Sequence, residues 1–379
     1  MPDRESDLEN SKENSITSSW GKEYVAAVCE DCDWSFLIFP DLQTMHCPHC
    51  YQSTLKPIPE GDERELPCSR APELVVPYQV TPESTDDSIN KFASKIPFAP
   101  KDLTSQNLRS RLCRLFLPMW LVDAEVQAKW WAEVGFDYKV VSHQAHYDDH
   151  QGGWSSREIE EGRIRWEPRL GRLERHYHNI STPALEEEMV IKQEMGAFKL
   201  GEAVEYQVKE VENSFVRLPN RDTKDAWVVA NPAIQTAAAE ECRQATGADH
   251  IRQFSWKSQY LNNNWTLMLL PLYTTYYLDA DKVAQPVFIH GQTGQISGVR
   301  RASMKRGQRL SLIILVIAVL IFLLSIILAA ASVALPILLV IGIFGFAIAL
   351  LTAAGAVVPI GLVWQFNRRQ KAGRSPYFT

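Results

Sequence analysis

The sequence lacks charge over one long stretch near its C-terminal end. From Leu310 to Asn367 it contains no Asp, Glu, Lys, Arg or His. A helix that crosses a bilayer needs about 20 apolar residues, so one span would leave about half of this stretch unexplained. The absence therefore predicts a transmembrane hairpin, with one helix over 310–332, a short turn, and a second helix over 336–364.

Acidic residues are likewise absent from residue 300 onward, although the chain contains 45 of them. The flanks of the uncharged stretch are basic instead, through Arg300, Arg301, Lys305, Arg306, Arg309, Arg368, Arg369, Lys371 and Arg374. Cations on both flanks predict a juxtamembrane segment at 300–309 and a tail at 365–379 that are both cytoplasmic. We expect a two-pass protein of the bacterial inner membrane, with anionic lipid headgroups among its partners. The other 30 cations and 45 anions leave residues 1–299 with a net charge of −15.

An apolar leader is missing as well. Residues 1–19 are polar and acidic, so we expect no signal peptide and a disordered acidic tail over 1–20. The cysteines number seven, and four of them lie in two C-x2-C pairs. An odd count with this spacing favours a metal site in a reducing compartment over a disulfide framework.

The two cysteine pairs predict a zinc ribbon over 21–54. A tight turn at each pair can aim two thiolates at one point, which completes the four-sulfur shell that structural Zn²⁺ prefers. The expected ligands are Cys29, Cys32, Cys47 and Cys50. His46 or His49 could replace one sulfur, but four cysteines already fill the shell, so we expect both to be neighbours. Metal binding is expected to supply most of the stability of so small a unit.

Lysine and arginine are absent between the first and the last of these cysteines. The charged residues there are Glu30, Asp31, Asp33 and Asp41. Affinity for nucleic acid depends on cations that neutralise phosphates, so this composition argues against nucleic acid as a partner. It favours the docking of a protein.

An α+β body is expected over 75–299, after a stiff, proline-rich linker over 55–74. Residues 115–120 and 268–273 resemble each other faintly, so the body could consist of two related halves. Strands are predicted over 75–80, 115–126, 136–141, 251–260, 265–278 and 286–290, together with a hairpin that turns at 168–171. Helices are predicted over 82–95 and 232–246, the second capped by Asn231 and stopped by Gly247.

Small residues recur in the second predicted span. They fall on one i+4 seam that would let the first span approach closely, namely Gly345, Ala349, Ala353 and Gly361. Pro359 is expected to kink this helix. Neither span contains an ionisable residue, so no proton relay is predicted.

Two further patterns leave alternatives open. A second metal ion could be held by His143, His146, Asp148, Asp149 and His150, although the glycines that follow favour a solvated loop. Gly291 to Gly294 superficially resembles a phosphate loop. No Lys-Ser/Thr pair follows it, so a β-turn is expected.

Several segments carry a resemblance to a known group. They are the four ribbon cysteines, Ile96 to Leu103, Leu117 to Ala124, Arg165 to Pro168, and Leu270 to Leu272 with Gly291 to Gly294. With them the chain resembles uncharacterised bacterial membrane proteins that join an N-terminal TFIIB-type zinc ribbon to a soluble body and C-terminal spans. That group is often labelled by analogy with the zinc-binding part of primosomal protein N-prime. The resemblance covers nearly the full length and implies recruitment beside phage-shock-type or SPFH-type scaffold proteins, without helicase activity, because helicase motifs are absent.

These features predict a membrane-tethered zinc-ribbon adaptor that docks cytoplasmic or membrane-associated protein partners. No nucleophile, base and orienting group stand at a recognisable spacing, which argues against an enzyme. The alternative is a membrane-bound enzyme with a site between the two halves of the body. Whether the chain forms a homo-oligomer stays open.

Overall fold

The computed structural model describes residues 20, 24–39, 46–58, 71–148, 153–331 and 337–372. The chain divides into two compact units. The first comprises Met1–Pro118, Leu185–Asn220 and Met268–Thr379, and the second comprises Met119–Ala184 and Arg221–Leu267. Outside the described residues lie the predicted tail over 1–19, most of the predicted linker, the turn between the spans and the residues after 372.

The architecture is α+β, as predicted. The strands are β1 (Val25–Val28), β2 (Ser35–Ile38), β3 (Lys56–Pro57), β4 (Leu74–Val75), β5 (Cys113–Asp148), β6 (Gly153–Pro183), β7 (Val204–Glu205), β8 (Ser214–Arg217), β9 (His250–Leu278), β10 (Ala284–His290) and β11 (Ile296–Gly298). The helices are α1 (Asp86–Ser94), α2 (Ser105–Ser110), α3 (Glu188–Met195), α4 (Val208–Val211), α5 (Thr223–Ala245), α6 (Met304–Ala331), α7 (Ile337–Gly355) and α8 (Val358–Ala372).

The strands form one sheet whose main order is β11-β10-β9-β5-β8-β2-β1-β3. In the first unit β2 pairs antiparallel with β8, and β8 pairs parallel with the start of β5. Strands β9, β10 and β11 follow as an antiparallel meander. The strand predicted over 75–80 is only β4, because Pro77 has no N–H with which to continue the ladder.

Strand β5 runs without interruption for 36 residues, so the prediction of separate strands over 115–126 and 136–141 is wrong. The intervening residues keep the alternation of a half-buried strand. The residues buried on one face are Ala124, Val126, Ala128, Ala132 and Val134. Because apolar residues continue at every second position from Ala124 to Val134, no residue forces the chain to turn there.

The hairpin predicted to turn at 168–171 is also wrong, since these residues lie within β6. Pro168 pairs with Glu133 and Gly171 with Trp130 of β5. Of the strands that the structure describes, β6 pairs only with β5, so the missing N–H of Pro168 is tolerated on an edge strand. A Cβ at Gly171 would lie 2.9 Å from the ring of Trp130. The missing side chain of Gly171 therefore leaves space for the indole of Trp130 and does not indicate a turn.

Strand β9 likewise joins the segments predicted over 251–260 and 265–278. The asparagines between them read as a loop in the sequence. Asn262 instead donates a hydrogen bond to the carboxylate of Glu125 on β5, at 3.0 Å. A cross-strand partner thus holds these polar residues in an extended conformation.

Helix α5 begins nine residues before the predicted start. Its N-cap is Asp222, whose carboxylate accepts a hydrogen bond from the N–H of Asp225 at 2.8 Å. Pro232 lies inside the helix, on its exposed side, instead of in the first turn. The predicted stop is confirmed, because Gly247 has a φ of 66° just after the last turn.

The core of the first unit includes the end of α8. Val363 is fully buried in one cluster with Phe92 of α1, Tyr277 of β9 and Ile289 of β10. The side chain of Asn367 accepts a hydrogen bond from the N–H of Ala302 and donates another to its carbonyl, at 2.9 and 3.1 Å. The last turns of the hairpin are therefore fastened to the body by packing and by hydrogen bonds.

Two helices, Met304–Ala331 and Ile337–Gln370, are long and apolar enough to cross a membrane. In each helix, only 11% of the residues in its most apolar stretch are buried within the protein. Large side chains point outward along both helices; Phe344 is 68% exposed and Leu351 is 74% exposed. These are not the properties of a helix in the core of a soluble domain.

Small residues line the contact between α6 and α7. A Cβ at Gly342 would lie 3.1 Å from backbone atoms of Ser325 and Ala329. A Cβ at Gly345 would collide with the hydroxyl of Ser325. Ala349 is buried in the same interface. The predicted close approach of the two helices is confirmed at these positions.

The prediction is wrong for Gly361, which is exposed and has open space around its Cβ position. The helix breaks at residues 356–357, just before Pro359, where the kink was expected. This break changes the helical phase, so Val363 rather than Gly361 faces α6 and contacts Gly307.

Substitution of Gly342 tests the packing of the hairpin. Gly342→Ile should lower the free energy of unfolding by about 1–3 kcal/mol, because its side chain would press on the backbone of α6. Unfolding of the full-length protein in detergent measures this change. Gly361→Ile adds the same side chain at an open position and should leave stability unchanged. Equal losses in the two variants would contradict the contact.

Candidate metal centre

The first cysteine pair lies at the turn of the β1–β2 hairpin. The N–H of Cys29 donates to the carbonyl of Trp34 at 3.0 Å, and the N–H of Asp33 donates to the carbonyl of Cys29 at 2.9 Å. Asp33 has a φ of 56°. This left-handed residue reverses the chain tightly and brings the thiols of Cys29 and Cys32 to one side.

The second cysteine pair repeats this turn. The N–H of Tyr51 donates to the carbonyl of Cys47 at 3.0 Å, and Tyr51 also has a φ of 56°. The N–H of His49 points at the sulfur of Cys47, at 3.4 Å. The two pairs are thus two equivalent knuckles.

The four predicted ligands come together. Their sulfur atoms all lie within 4.8 Å of one another. The sulfurs of Cys29 and Cys50 are 3.5 Å apart, and those of Cys32 and Cys47 are 3.7 Å apart. A tetrahedral ion with metal–sulfur bonds of about 2.3 Å holds its sulfurs about 3.8 Å apart, whereas a disulfide needs about 2.05 Å. The group fits one metal ion and excludes disulfide bonds in this arrangement.

The electrostatics of the group also call for a cation. Hydrogen bonds from Cys32 and Cys47 hold the pKa of Cys50 below its usual range. The hydrogen bond with Cys47 raises the pKa of Cys32. Four sulfurs this close cannot all be negative unless a cation lies between them. A divalent ion at their centre removes this conflict.

The ribbon is an edge of the sheet of the first unit. In β2, Phe36 pairs with Arg217 and Leu37 pairs with Val216 of β8. Phe36 and Leu37 are fully buried. A unit this small cannot bury a core by itself, and the pairing with β8 supplies one. A bound metal would therefore be one of two sources of stability for the ribbon.

Arg217 is a neighbour of the site that the sequence analysis missed. It is only 3% exposed, its guanidinium lies 4.7 Å from the ring centre of Trp34, and it donates to the carbonyl of Ser35 at 2.9 Å. Burial lowers its pKa to about 10, so it stays charged at neutral pH. The guanidinium offsets part of the negative charge of the thiolates. Nothing near the cysteines in the sequence could have indicated it.

Aromatic and hydroxyl contacts fix the second knuckle. The ring of His49 stacks on Trp34, with centres 3.7 Å apart, and lies 5.9 Å from Phe288 of β10. The hydroxyl of Tyr51 is 2.9 Å from that of Thr274 on β9. His49 is therefore a packed neighbour, and His46 is exposed. Neither histidine belongs to the metal-type group.

The second predicted metal cluster lies largely outside the described residues. His143 lies in β5 opposite Glu158 and is exposed. The side chains of His146 and Asp148 are outside the described part, and so are Asp149 and His150 entirely. Among the described residues, the four cysteines form the one group with metal-binding geometry.

A shallow cavity of about 300 Å³ in the second unit carries histidines and carboxylates. His176 lies 3.9 Å from Glu125, and His178 lies 3.8 Å from Asp123. The pairs stay separate, because the two imidazole centres are 6.1 Å apart. No three ligand atoms converge here, so this face is not a metal centre in the described arrangement.

The chain was compared with models of protein families, with curated proteins and with solved structures, and none of the three comparisons gave a match. The resemblance to zinc-ribbon membrane proteins therefore stays a prediction from the sequence.

Cysteine substitution tests the metal centre. Wild-type protein purified in detergent should carry one metal ion per chain, and Cys47→Ser should carry almost none, because a neutral hydroxyl replaces a thiolate ligand. Elemental mass spectrometry measures both. Cys113→Ser, which removes a half-buried thiol outside the group, should keep the full metal content. A Cys47→Ser variant with full metal content would contradict the assignment.

Proposed function

We propose that this chain is a membrane-tethered zinc-ribbon adaptor of the bacterial inner membrane. Its hairpin spans the bilayer twice with both ends in the cytoplasm, its four cysteines hold structural Zn²⁺, and its second unit docks a protein partner. The observation that carries the docking function is a bare two-stranded arm formed by β5 and β6.

The placement of cations supports this topology. Gly307 near the start of α6 contacts Val363 of α8, and Asn367, one turn further along α8, bonds to Ala302 just before α6, so these parts of the two helices lie side by side. Lys305, Arg306 and Arg309 belong to one of these parts and Arg368 and Arg369 to the other. The cations therefore gather at one end of the hairpin. Cytoplasmic placement of that end follows the positive-inside rule.

Zinc is the metal that best fits four thiolates in a reducing compartment. It has no redox chemistry and accepts a closed tetrahedral shell. Cys29, Cys47 and Cys50 are buried, and four sulfurs leave no position for water or substrate. The ion is accordingly structural: it locks the two knuckles that present Trp34 and Tyr51 to the sheet.

The arm lies at the far end of the β5–β6 pair. Strand β9 begins level with Gly135, whose carbonyl accepts a hydrogen bond from the N–H of Asp249 at 3.0 Å. Beyond that point 11 residue pairs follow, from Tyr138 opposite Arg163 to Asp148 opposite Gly153. At about 3.4 Å per residue the arm is about 37 Å long. Among the described residues, no third strand and no helix packs on it.

An isolated two-stranded ribbon is marginally stable in water. Both edges of this arm expose backbone groups that can pair with another strand. Two of its large apolar side chains are also uncovered: Tyr138 is 44% exposed and Val141 is 52% exposed. A protein partner that adds a strand or covers a face would bury these groups, and this is the reason to assign docking to the arm.

The charges of the arm indicate the class of partner. Lys139 pairs with Glu160 at 2.9 Å, and Arg163 pairs with Glu161 at 3.1 Å. The cations of the described arm are thus neutralised by its own carboxylates. The described side chains of the arm therefore leave no basic surface to hold phosphates, which favours a protein over a nucleic acid as the partner.

Photo-crosslinking in membranes tests the docking function. A photoreactive residue in place of Val141 should give an adduct with a second, different protein, because that position would lie in the interface. Mass spectrometry identifies the adduct. The same residue in place of Val229, which is 41% exposed on α5, is the matched control and should give none.

A shortened arm, with residues 141–160 replaced by Asn-Gly, should lose the adducted partner while the zinc content stays unchanged. The Asn-Gly pair is suited to a two-residue hairpin turn. The adaptor function would be contradicted by adducts that contain only two copies of this chain, or by equal adducts from Val141 and Val229.

A further inference from the structure

A cavity of about 690 Å³ opens in the first unit, next to the ends of the hairpin. Helix α1 contributes Lys91 to its wall, and Lys95 follows directly after the last residue of that helix. Arg300 comes from the segment before α6, and Arg369 comes from the last turns of α8. Residues far apart in the sequence thus place four cations around one space.

Among the described residues of this wall, Glu194 has the only carboxylate. It already accepts a hydrogen bond from the hydroxyl of Ser297, at 2.5 Å. No described carboxylate lies within ion-pair distance of the four cations, and Arg300 lies over the ring of Phe92 at 5.1 Å. Neighbouring cations do have such partners: Arg301 is 3.6 Å from Asp279, and Lys305 is 3.2 Å from Asp281.

Four cations around one cavity repel one another unless an anion neutralises them. The geometry suits a group with several oxygens, because guanidinium and ammonium groups approach from different walls. A phosphate group has this chemistry. The cavity is therefore complementary to a phosphate-bearing anion.

The loop at the wall of the cavity does not act as a phosphate loop by its backbone. The N–H of Gly294 donates to the carbonyl of His290, and the N–H of His290 donates to the carbonyl of Gln295, both at 2.9 Å. The first of these bonds closes a five-residue turn, which is one residue longer than the predicted β-turn. Recognition in the cavity consequently depends on side chains.

The position of the cavity relative to the hairpin indicates where the anion comes from. Arg369 follows Trp364 by five residues, which is about 7.5 Å along a helix. Trp364 is 56% exposed, as an interfacial anchor would be. The headgroup layer on each side of a bilayer is about 5–8 Å thick. If the hairpin spans a membrane, the cavity opens at the depth of the lipid phosphates.

We propose that this cavity binds the phosphate-bearing headgroup of an anionic membrane phospholipid. The proposal rests on the membrane-spanning hairpin of the proposed function, but not on its docking arm. It goes beyond the general attraction of basic flanks to anionic lipid, because it assigns a defined site with cations from α1, which lies outside the hairpin.

The test uses the full-length protein in nanodiscs of phosphatidylcholine with a minority of phosphatidylglycerol. Native mass spectrometry then counts the lipids that stay bound. Wild type should retain phosphatidylglycerol over phosphatidylcholine. Lys91→Gln/Lys95→Gln should weaken this retention at least about 30-fold, because each lysine would lose a charge-assisted hydrogen bond to the headgroup phosphate in the cavity.

Arg309→Gln/Arg368→Gln is the matched control. It removes two cations from the same end of the hairpin but outside the cavity wall, so retention should fall less than about 3-fold. Equal losses in the two double variants would mean a general basic collar and would overturn the defined site. Unchanged retention in Lys91→Gln/Lys95→Gln would overturn it as well.

Soluble competitors distinguish the source of the phosphate. Inorganic phosphate and glycerol 3-phosphate should compete only weakly with phosphatidylglycerol. If either binds the detergent-solubilised protein as tightly as the lipid does, the lipid assignment is wrong. Failure of the protein to enter nanodiscs would overturn the spanning hairpin and the lipid site together, whereas entry without lipid preference overturns only the site.

Discussion

Apolar surface that the protein cannot bury within itself is the constraint on which the rest of the structure depends. The faces of α6 and α7 that meet are made of Ser325, Gly342 and other small residues, so most of the large apolar side chains point outward. Each such side chain left in water forgoes about 1.5–3 kcal/mol of burial. A bilayer removes this cost for the whole stretch at once. The bilayer would also set the depth of the cations at the ends of α6 and α8, and it would determine the compartment in which the four cysteines lie.

One strand connects the three features of the first unit. On β9, Thr274 bonds to Tyr51 of the second cysteine knuckle, and Tyr277 donates to the carbonyl of Val299 at 2.8 Å. The N–H of Arg301 in turn donates to the hydroxyl of Tyr277. The metal centre, the basic cavity and the helix ends are thus held by neighbouring residues of one sheet. The hairpin is joined to the body through packed side chains and not through a loose linker.

Local chemistry explains what the sequence could predict. The uncharged stretch, the two C-x2-C pairs, the stop at Gly247 and the turn at 291–294 each depend on residues close together in the chain. The errors have the opposite origin. In the sequence alone, Pro168 and Gly171 indicate a turn. The structure shows instead that the ring of Trp130 on the neighbouring strand occupies the space next to Gly171.

The positions of Arg217 and of the four cavity cations could not be predicted from the sequence, for the same reason. Arg217 lies 180 residues or more from the ribbon strand it supports, and α1 is separated from Arg369 by most of the chain. No pattern within a window of sequence can join such residues. Only the pairing of β2 with β8, and the burial of Val363 in the core beside α1, brings them together.

Protease accessibility of tags at both ends of the chain tests the spanning hairpin most directly. In intact spheroplasts both tags should resist added protease, and in inside-out membrane vesicles both should be removed, while the chain stays in the membrane pellet after alkaline carbonate washing. Cleavage of either tag in intact spheroplasts, or release of the chain by carbonate, would contradict the account.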